Sequence, residues 1–240
     1  MKGLILAGGR GNRINEFSEN QNKCMMPFRG KPLIEHALER MAETEILEIV
    51  IVVGYKAEDI INHYGISFRD RRIRYVIQEK QKGLVHAIDC AGDRLEGEDF
   101  ILMLGDEVMA NARGKEMLKL FESDDSVFGI CGILEVQDLE QIRRTYALVK
   151  DDQDRIFRLI EKPTRPFNHF QGTGNCIFKN QILNYIEMTP IHHERNEKEL
   201  PDLVQCCIDE GQIVKAFPVC DQYVNINSFE DLMMAERFST

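Results

Sequence analysis

Long apolar runs, C-x-x-C motifs and an excess of positive charge are all missing from this chain of 240 residues. A membrane-spanning helix needs roughly 18 or more apolar residues in a row, and no run reaches that length. Met1 leads directly into a strand-like segment, so we also expect no signal peptide. The seven cysteines form no C-x-x-C pair and no spacing typical of a metal site. They indicate a reduced, cytoplasmic protein with scattered buried thiols.

Acidic residues outnumber basic ones by 40 to 30, which gives a formal net charge of −10. This balance argues against a general nucleic-acid binder, because such proteins need an extended basic surface. A phosphate site in so acidic a protein must concentrate its cations locally. The lysines and arginines near the start of the chain are therefore the first candidates.

The order of apolar patterns predicts an α/β fold. Strands are predicted at 3–7, 47–55, 72–78 and 99–106, with helices at 31–43, 57–65 and 82–95 between them. This alternation is typical of a mostly parallel sheet covered on both faces. The second half adds strands at 128–136, 145–150, 155–163, 172–178 and 213–219, and helices around 180–187, 198–210 and 228–238. We expect it to extend the same sheet with mixed strand directions.

Ligands of such sheets bind beyond the carboxyl ends of the strands. The segments that follow predicted strands are 8–13, 54–56, 78–83, 105–107, 161–163 and 225–227. These segments are the places where we expect the functional residues.

The first of these segments, in MKGLILAGGRGNRI, carries glycines and arginines. Glycines after a first strand allow the backbone to approach a phosphate closely. Neither standard phosphate loop matches, because Ile14 stands where G-x-G-x-x-G needs its last glycine and no G-K-[S/T] occurs. Instead, about 20 residues carrying Arg10, Arg13 and Lys23 precede the first predicted helix. Such a flap suits a triphosphate, and the alternative is a surface loop with solvated arginines.

LAGGRGNRI followed by NKCMMPFRGKPLIEHAL resembles the signature of the sugar-1-phosphate nucleotidylyltransferases. The matching residues are Leu6, Ala7, Gly8, Gly9, Gly11, Arg13, Lys23, Pro27, Lys31 and Pro32. Asn12 departs from the threonine that the family usually has. Six further segments resemble the family in order: QEKQKGLVHAIDCA, LMLGDE, LIEKP, GTGNCIF, RNEKELPDL and YVNINSFEDL. The resemblance thus covers nearly the whole chain.

The resemblance implies a Rossmann-like single nucleotidyltransferase domain with a sugar-binding elaboration. Residues 1–110 would mainly bind the nucleoside triphosphate, and residues 111–240 mainly the sugar phosphate. The implied reaction joins a nucleoside triphosphate and a sugar 1-phosphate into a nucleotide sugar and releases pyrophosphate. Because two polyanions must meet, catalysis would consist of positioning and charge stabilisation.

On the nucleotide side, the resemblance implies binding by Leu6, Ala7, Gly8, Gly9, Gly11, Asn12, Arg13, Gln78, Gly83, Gly105 and Asp106. Arg13 and the loop amides would hold the triphosphate, and Lys23 would lie between the phosphates of the two substrates. Gln78 would read the base with its side chain and Gly83 with its backbone. The segment KGLVHAI most resembles enzymes that use UTP or dTTP, with CTP and GTP as alternatives.

The resemblance also implies a Mg²⁺ site at Asp106, with Asn225 as its partner. Asn227 is a close alternative to Asn225, and Glu107 could assist. Two protein oxygens suffice, because Mg²⁺ keeps waters and binds the phosphates as well. The implied catalytic residues are Arg13, Lys23, Asp106 and Lys162.

On the sugar side, Glu161 would accept hydrogen bonds from sugar hydroxyls and Lys162 would hold the sugar phosphate. Thr173 and Asn175 would also face the sugar. Arg195 either reaches the phosphate or is an ordinary arginine at a helix end.

Specificity for the sugar is the least readable feature. Ala147 stands where relatives often have glycine, and its methyl group is expected to crowd the usual hexose. The loops at roughly 107–114 and 163–175 are expected to shape the sugar pocket. The expected partners are the two small-molecule substrates, with no nucleic acid and no membrane. The sequence marks no interface, although homo-oligomers are common in the family.

Three rivals keep part of the pattern. A cytidylyltransferase for phosphocholine or a phosphonate would depend less on the E-K-P and sugar-strand segments, which are present here. A non-catalytic nucleotide sensor would be expected to lose Lys23 or Asp106, and both are kept. A molybdopterin guanylyltransferase shares the first loop but lacks an E-K-P strand.

Overall fold

The computed structural model of the protein describes residues 1–9 and 21–238. The strands are β1 (Lys2–Ala7), β2 (Pro27–Phe28), β3 (Lys31–Pro32), β4 (Glu48–Val53), β5 (Ser67–Phe68), β6 (Arg71–Ile77), β7 (Phe100–Leu104), β8 (Glu107–Ala110), β9 (Val127–Glu135), β10 (Tyr146–Lys150), β11 (Ile156–Glu161), β12 (Phe170–Phe178), β13 (Ile213–Pro218) and β14 (Gln222–Asn225). The α-helices are α1 (Leu33–Ala42), α2 (Ala57–Tyr64), α3 (Leu84–Leu95), α4 (Gly114–Glu122), α5 (Leu200–Asp209) and α6 (Phe229–Glu236). Short 3₁₀ helices lie at Lys23–Met25, Ile142–Arg144 and Asn180–Tyr185.

The centre of the main sheet has the strand order β7-β1-β4-β6, and these four strands are parallel. The chain adds β4 and β6 on one side of β1 and then returns to place β7 on the other side. The strand order therefore reverses at β1, and a crevice forms beyond the carboxyl ends of β1 and β7. Gly8 and Gly9, which directly follow β1, line a cavity at this place.

The second half continues this sheet, which confirms the mixed, mainly parallel, Rossmann-like architecture. β12 runs antiparallel to β7, and β9 runs antiparallel to β12. β13 then pairs in parallel with β9. On the side of β12 opposite to β9, β10 pairs with β12, and β11 pairs with β10. The segments predicted to bind the sugar phosphate therefore lie in the same sheet as those predicted to bind the nucleotide, next to them.

The core lies on both faces of this sheet. In β1 the side chains alternate: Leu4 and Leu6 pack on the face covered by α3 and α5, and Ile5 and Ala7 on the face covered by α1. Burial on both faces explains why the first strand is an unbroken apolar run. Among the described residues, no helix combines the length and the apolar character needed to cross a bilayer.

Several elements differ from the sequence-based prediction. α4, β8 and β14 were not predicted, and the helix expected around 180–187 is the 3₁₀ helix Asn180–Tyr185. The expected loop at 107–114 begins with β8, which pairs with β14 rather than joining the main sheet. The end of the predicted flap, 23–32, forms a 3₁₀ helix and the β2–β3 hairpin, whereas 10–20 lies outside the described residues. Two- to four-residue strands carry too little periodicity to be recognised from sequence.

One edge of the main sheet, at β11, is covered by a side chain. β11 is the last strand in the sheet order, and α5 packs against it. Gln205 on α5 accepts a hydrogen bond from the Leu159 backbone N–H at 3.0 Å and donates to the Phe157 carbonyl at 3.3 Å. Its amide therefore takes the place of a neighbouring strand.

Replacing Gln205 by leucine should lower the free energy of unfolding by about 1–3 kcal/mol, because the buried Leu159 N–H loses its partner. Urea unfolding monitored by circular dichroism measures this change. Gln153→Leu, at an exposed turn, is the matched control and should shift the midpoint little. Equal midpoints for the two variants would show that the Gln205 amide does not stabilise the edge.

Candidate active site

Two adjoining cavities open at the carboxyl ends of the parallel strands. The larger cavity, about 560 Å³, is lined by Leu6, Gly8, Gly9, Gln78, Gln81, Gly83, Leu84, Ala87, Leu104, Asp106, Glu197 and Asn225. The smaller cavity, about 150 Å³, is lined by Leu84, Leu104, Glu107, Arg144, Thr145, Tyr146, Glu161, Lys162, Gly172, Thr173, Gly174, Glu199, Leu200, Pro201, Tyr223 and Asn225. Leu84, Leu104 and Asn225 belong to both walls. A molecule in one cavity can therefore touch a molecule in the other.

Lys23 and Asp106 form an ion pair at the edge of the larger cavity. The Lys23 Nζ lies 2.6 Å from Asp106 Oδ2 and donates to Asn227 Oδ1 at 3.0 Å. The lysine side chain is only 7% exposed, whereas that of Asp106 is 21% exposed and reaches the cavity. The pair therefore places a positive and a negative group beside the larger cavity.

Asn22, which sequence reasoning did not single out, fixes the position of Lys23. This residue is fully buried, and its Nδ2 donates to the carbonyls of Ala7 at 3.2 Å and Tyr55 at 2.7 Å. Its Oδ1 accepts from the Cys24 N–H at 2.8 Å. All polar atoms of the side chain are thus bonded, and they tie the segment before Lys23 to the ends of β1 and β4.

The loops after β1 and β4 touch through backbone atoms. The Tyr55 N–H donates to the Gly8 carbonyl at 3.3 Å, and a β-carbon on Gly54 would lie 2.6 Å from the same oxygen. A side chain at Gly54 would therefore push the Gly8 carbonyl away. This contact, rather than a phosphate, accounts for glycine at position 54.

Gln78 follows β6 and is 4% exposed. Its Nε2 donates to the Gly83 carbonyl at 3.1 Å and contacts His86 Nδ1 at 2.9 Å. Its Oε1 faces Gly8, where a β-carbon would lie 2.7 Å away. Gly8 and Gln78 both line the larger cavity, so the side-chain carbonyl is the part of Gln78 that a ligand there can meet.

Asn225, at the end of β14, lines both cavities. Asn227 lies behind it and donates from Nδ2 to Asn225 Oδ1 at 3.0 Å. The remaining groups of Asn227 are engaged by Lys23 and by Asp231, whose carboxylate accepts the Asn227 N–H at 2.8 Å. Asn225 therefore faces a ligand more directly than Asn227 does.

Glu107 lies beneath the smaller cavity and is 1% exposed. It accepts hydrogen bonds from the Tyr223 hydroxyl at 2.6 Å, the Gly174 N–H at 2.8 Å and Asn175 Nδ2 at 3.0 Å. Burial raises the pKa of this carboxyl to about 7, and the nearby charge of Asp106 acts in the same direction. Glu107 thereby links β8, β12 and β14 at the buried end of the smaller cavity.

Glu161 and Lys162 stand side by side at the end of β11, and both line the smaller cavity. The Lys162 Nζ lies 3.0 Å from Glu161 Oε1. Burial raises the pKa of Glu161 to about 7, although the Lys162 charge opposes this shift. Lys162 has a φ of +42°, and its N–H donates to the Thr145 carbonyl at 2.6 Å. Such a conformation is strained for a residue with a β-carbon and is concentrated at functional sites.

The raised pKa of Glu161 predicts a pH dependence of stability. The folded state takes up this proton near pH 7, whereas the unfolded carboxyl takes it up near pH 4.5. Stability should therefore fall as pH rises from about 4.5 to about 7, by at most about 3 kcal/mol from this group. The glutamine in Glu161→Gln does not ionise, so the urea midpoint of this variant should vary less between pH 5 and pH 8 than that of the wild type.

The exposed Glu122, replaced by glutamine, is the control and should keep the pH slope of the wild type. Part of the slope should survive in Glu161→Gln, because Glu107 titrates in the same range. An unchanged slope in Glu161→Gln would mean that the carboxyl of Glu161 is charged throughout this range.

The other predicted sugar residues lie at different depths. Thr173 lines the smaller cavity, and its hydroxyl donates to the Gly132 carbonyl at 2.9 Å. Asn175 is buried beneath it and bonds to Glu107. Arg195 pairs with Glu199, which lines the smaller cavity, while the buried Arg195 Nη2 has no partner among the described residues.

Ala147 does not crowd the smaller cavity. Its methyl group packs in the core cluster on the face of Ile5, opposite to the face on which its neighbour Tyr146 packs. Tyr146 and Thr145 line the cavity instead. The expectation that a methyl at 147 obstructs a hexose is therefore not supported by the fold.

Some of the residues predicted to bind the nucleotide in β1 and the loop after it line the cavity, and others do not. Leu6, Gly8 and Gly9 line the larger cavity, whereas Ala7 is buried in the core. Gly105 donates its N–H to the Leu6 carbonyl at 2.9 Å and so joins the ends of β1 and β7. The predictions for Gly11, Asn12 and Arg13 lie outside the described residues.

Several lining residues were not predicted as ligands, and those with charged or phenolic side chains are Arg144, Glu197, Glu199 and Tyr223. Glu197 and Glu199 belong to the segment RNEKELPDL, so its alternate acidic residues were the available signal. Arg144 and Tyr223 had none, because their position depends on how the segments around them fold over the sheet.

Within residues 1–9 and 21–238, no cluster of three or more His, Cys, Asp or Glu side chains could hold a metal on protein ligands alone. Asp106 and Asn225 instead offer one carboxylate oxygen and one amide oxygen at the same cavity. Hard oxygen donors of this kind, with most positions left to phosphates and water, fit Mg²⁺. The donor set therefore suits a metal that arrives with a nucleotide.

The family model described as Nucleotidyl transferase matches residues 2–240. UTP–glucose-1-phosphate uridylyltransferase AglF of Haloferax volcanii is 31% identical over 239 residues, covering 99% of this chain and 96% of that protein. Glucose-1-phosphate thymidylyltransferase of Streptomyces griseus is 27% identical over 242 residues, covering 99% of this chain and 65% of that protein.

Solved structures have the same fold. UDP-glucose pyrophosphorylase, solved with UDP-glucose, superposes with a TM-score of 0.88 at 22% identity and covers 98% of this chain and 96% of that one. The UTP-bound enzyme of Acinetobacter baumannii gives a TM-score of 0.82 at 18% identity, with 98% and 91% covered. The fold is that of these nucleotidyltransferase structures, and the sequence relatives named above are sugar-1-phosphate nucleotidyltransferases. The chain belongs to the nucleotidyl transferase family.

Proposed function

We propose that the protein transfers a uridylyl or thymidylyl group from UTP or dTTP to a hexose 1-phosphate in a Mg²⁺-dependent reaction. The observation that carries this proposal is the pair of adjoining cavities that meet at Asn225, beside the Lys23–Asp106 pair. The nucleotide would occupy the larger cavity and the sugar phosphate the smaller one. Their phosphates would then meet where the walls are shared.

The base is proposed from the chemistry of Gln78. Its Nε2 is engaged by Gly83 and His86, so its Oε1 is the group that faces the larger cavity. A carbonyl oxygen accepts a hydrogen bond from the N3–H of uracil or thymine. Cytosine presents a lone pair at N3, which the same oxygen repels.

Transfer would follow from positioning. An oxygen of the sugar phosphate attacks the α-phosphorus of the nucleotide in line, and pyrophosphate leaves on the opposite side. Lys23 would reduce the repulsion between the two phosphates, and Lys162 would hold the phosphate of the sugar. Asp106 and Asn225 would hold Mg²⁺, which neutralises phosphate charge when bound.

The acceptor proposed first is glucose 1-phosphate. Both sequence relatives described above carry this substrate in their names. Ala147, which was expected to crowd a hexose, turns its methyl group into the core and does not line the smaller cavity. Glu161 would accept hydrogen bonds from the hydroxyls of the hexose.

The test is a grid of pyrophosphate release with Mg²⁺. UTP, dTTP, CTP, GTP and ATP are each combined with several sugar 1-phosphates and with phosphocholine, and the products are weighed by mass spectrometry. The expected result is a strong signal for UTP or dTTP with a hexose 1-phosphate. Signal with phosphocholine alone would favour a cytidylyltransferase, and a blank grid with nucleotide binding retained would indicate a sensor.

A further inference from the structure

His86, on the first turn of α3, contacts Gln78, the residue proposed to read the base, through a ring nitrogen. Its Nδ1 lies 2.9 Å from Gln78 Nε2. The residue is partly buried and lines neither cavity, so its contact with Gln78 is its link to the site. The inference below rests on the proposed function, because it concerns how the base is selected.

The orientation of the Gln78 amide is set by a carbonyl. Gly83 has a φ of +89°, and its carbonyl oxygen also accepts the Ala87 N–H of the first helical turn at 3.3 Å. A carbonyl can only accept, so the Gln78 NH₂ group and not its oxygen must face Gly83. A β-carbon at Gly83 would lie 2.8 Å from Glu197 Oε2, which favours glycine and this backbone conformation.

The second N–H of Gln78 points at His86 Nδ1, so Nδ1 must be the acceptor. A neutral imidazole accepts at one nitrogen and carries its proton on the other, which here places the proton on Nε2. The only polar contact of the ring besides Gln78, among the described residues, is the Cys90 thiol at 3.9 Å from both nitrogens. The histidine therefore holds the amide in the orientation that Gly83 requires.

We propose that His86 is a positioning residue that holds Gln78 with its carbonyl towards the larger cavity and thereby makes the enzyme prefer a base with an N3–H over cytosine. Without an acceptor at this place, one N–H of Gln78 loses its partner, and the Gly83 carbonyl alone opposes a turned amide. A turned amide presents N–H to the cavity and suits the N3 lone pair of cytosine. The preference for UTP or dTTP over CTP then falls, whereas the residues that bind the phosphates keep their positions.

The experiment compares three substitutions at this position. His86→Asn places an amide oxygen where Nδ1 lies, His86→Gln places it near the position of Nε2, and His86→Leu offers no acceptor. Asp89→Asn, exposed on the same helix, is the matched control. Affinities for UTP, dTTP and CTP are measured by calorimetry without sugar phosphate, so that no turnover occurs.

Relative to the wild type, His86→Leu and His86→Gln should each lower the preference for UTP or dTTP over CTP at least about tenfold. His86→Asn should keep the wild-type preference within about threefold, and in separate turnover assays the effect of the other two variants should lie in KM for the nucleotide rather than in kcat. A wild-type preference in His86→Gln, or an equal loss in the Asn and Gln variants, overturns the proposal. The Asn–Gln comparison remains decisive if the leucine variant does not fold.

A second measurement does not depend on activity. The nitrogen-15 spectrum of the His86 side chain, assigned with His86→Asn, should place its proton on Nε2 in the substrate-free protein. A proton on Nδ1 overturns the role of His86 even if the protein proves to be a uridylyltransferase. A blank substrate grid with the proton on Nε2 would instead remove the proposed function and leave the contact standing.

Discussion

Replacing Lys23 by methionine is expected to lower kcat/KM for nucleotidyl transfer by about 10²- to 10³-fold. The side chain is buried beside Asp106, and its ammonium is held at the edge of the larger cavity. Methionine keeps most of the length and loses the charge. The partner left behind, Asp106, reaches solvent through the cavity, so the fold should survive.

Steady-state kinetics with the best substrate pair, together with urea unfolding, test this expectation. Lys115→Met, on the exposed face of α4, is the matched control and should keep both activity and stability. Activity close to that of the wild type in Lys23→Met would remove this lysine from the proposed catalytic set.

Replacing Asp106 by asparagine should lower kcat/KM by a similar factor, about 10²- to 10³-fold, and should also destabilise the fold. The reason for the second effect is the asymmetry of the pair. Lys23 is only 7% exposed, and its buried ammonium loses its counter-ion when the carboxylate is replaced. The expected loss of stability is about 3 kcal/mol, in the range known for broken buried ion pairs.

A double-mutant cycle separates the two effects. Lys23→Met combined with Asp106→Asn should recover most of the stability lost in Asp106→Asn, because no buried charge remains, and should stay inactive. Asp152→Asn, in an exposed turn, serves as the control for the loss of a carboxylate. Additive losses of stability in the double variant would contradict a coupled pair, whatever the kinetics show.

The parts of the site predicted from sequence are those with a local signal. The apolar run of β1 followed by glycines predicts both the strand and the loop at its carboxyl end, and the structure places Gly8 and Gly9 at a cavity there. Glu161 and Lys162 follow a predicted strand in the E-K-P segment that resembles the family, and both line the smaller cavity. In each case one short segment contains both the structural and the chemical signal.

The parts that sequence could not predict depend on distant partners. Asn22 is recognisable as a residue before Lys23, but its role depends on the carbonyls of Ala7 and Tyr55, which the fold alone brings together. β8 and β14 are short and pair across more than 100 residues of sequence. Whether Ala147 faces the cavity or the core depends on the register of β10, because a shift by one residue reverses every side chain.

The contact between Lys23 and Asn227 spans 204 residues of sequence. A chain that grows from its amino terminus makes the first loop and the parallel strands long before position 227 exists. Long-range contacts of this kind form late in folding, since much of the chain must be ordered first. During synthesis, therefore, the ammonium of Lys23 acquires its full set of partners only after position 227 has been added, and the site is assembled no earlier than that.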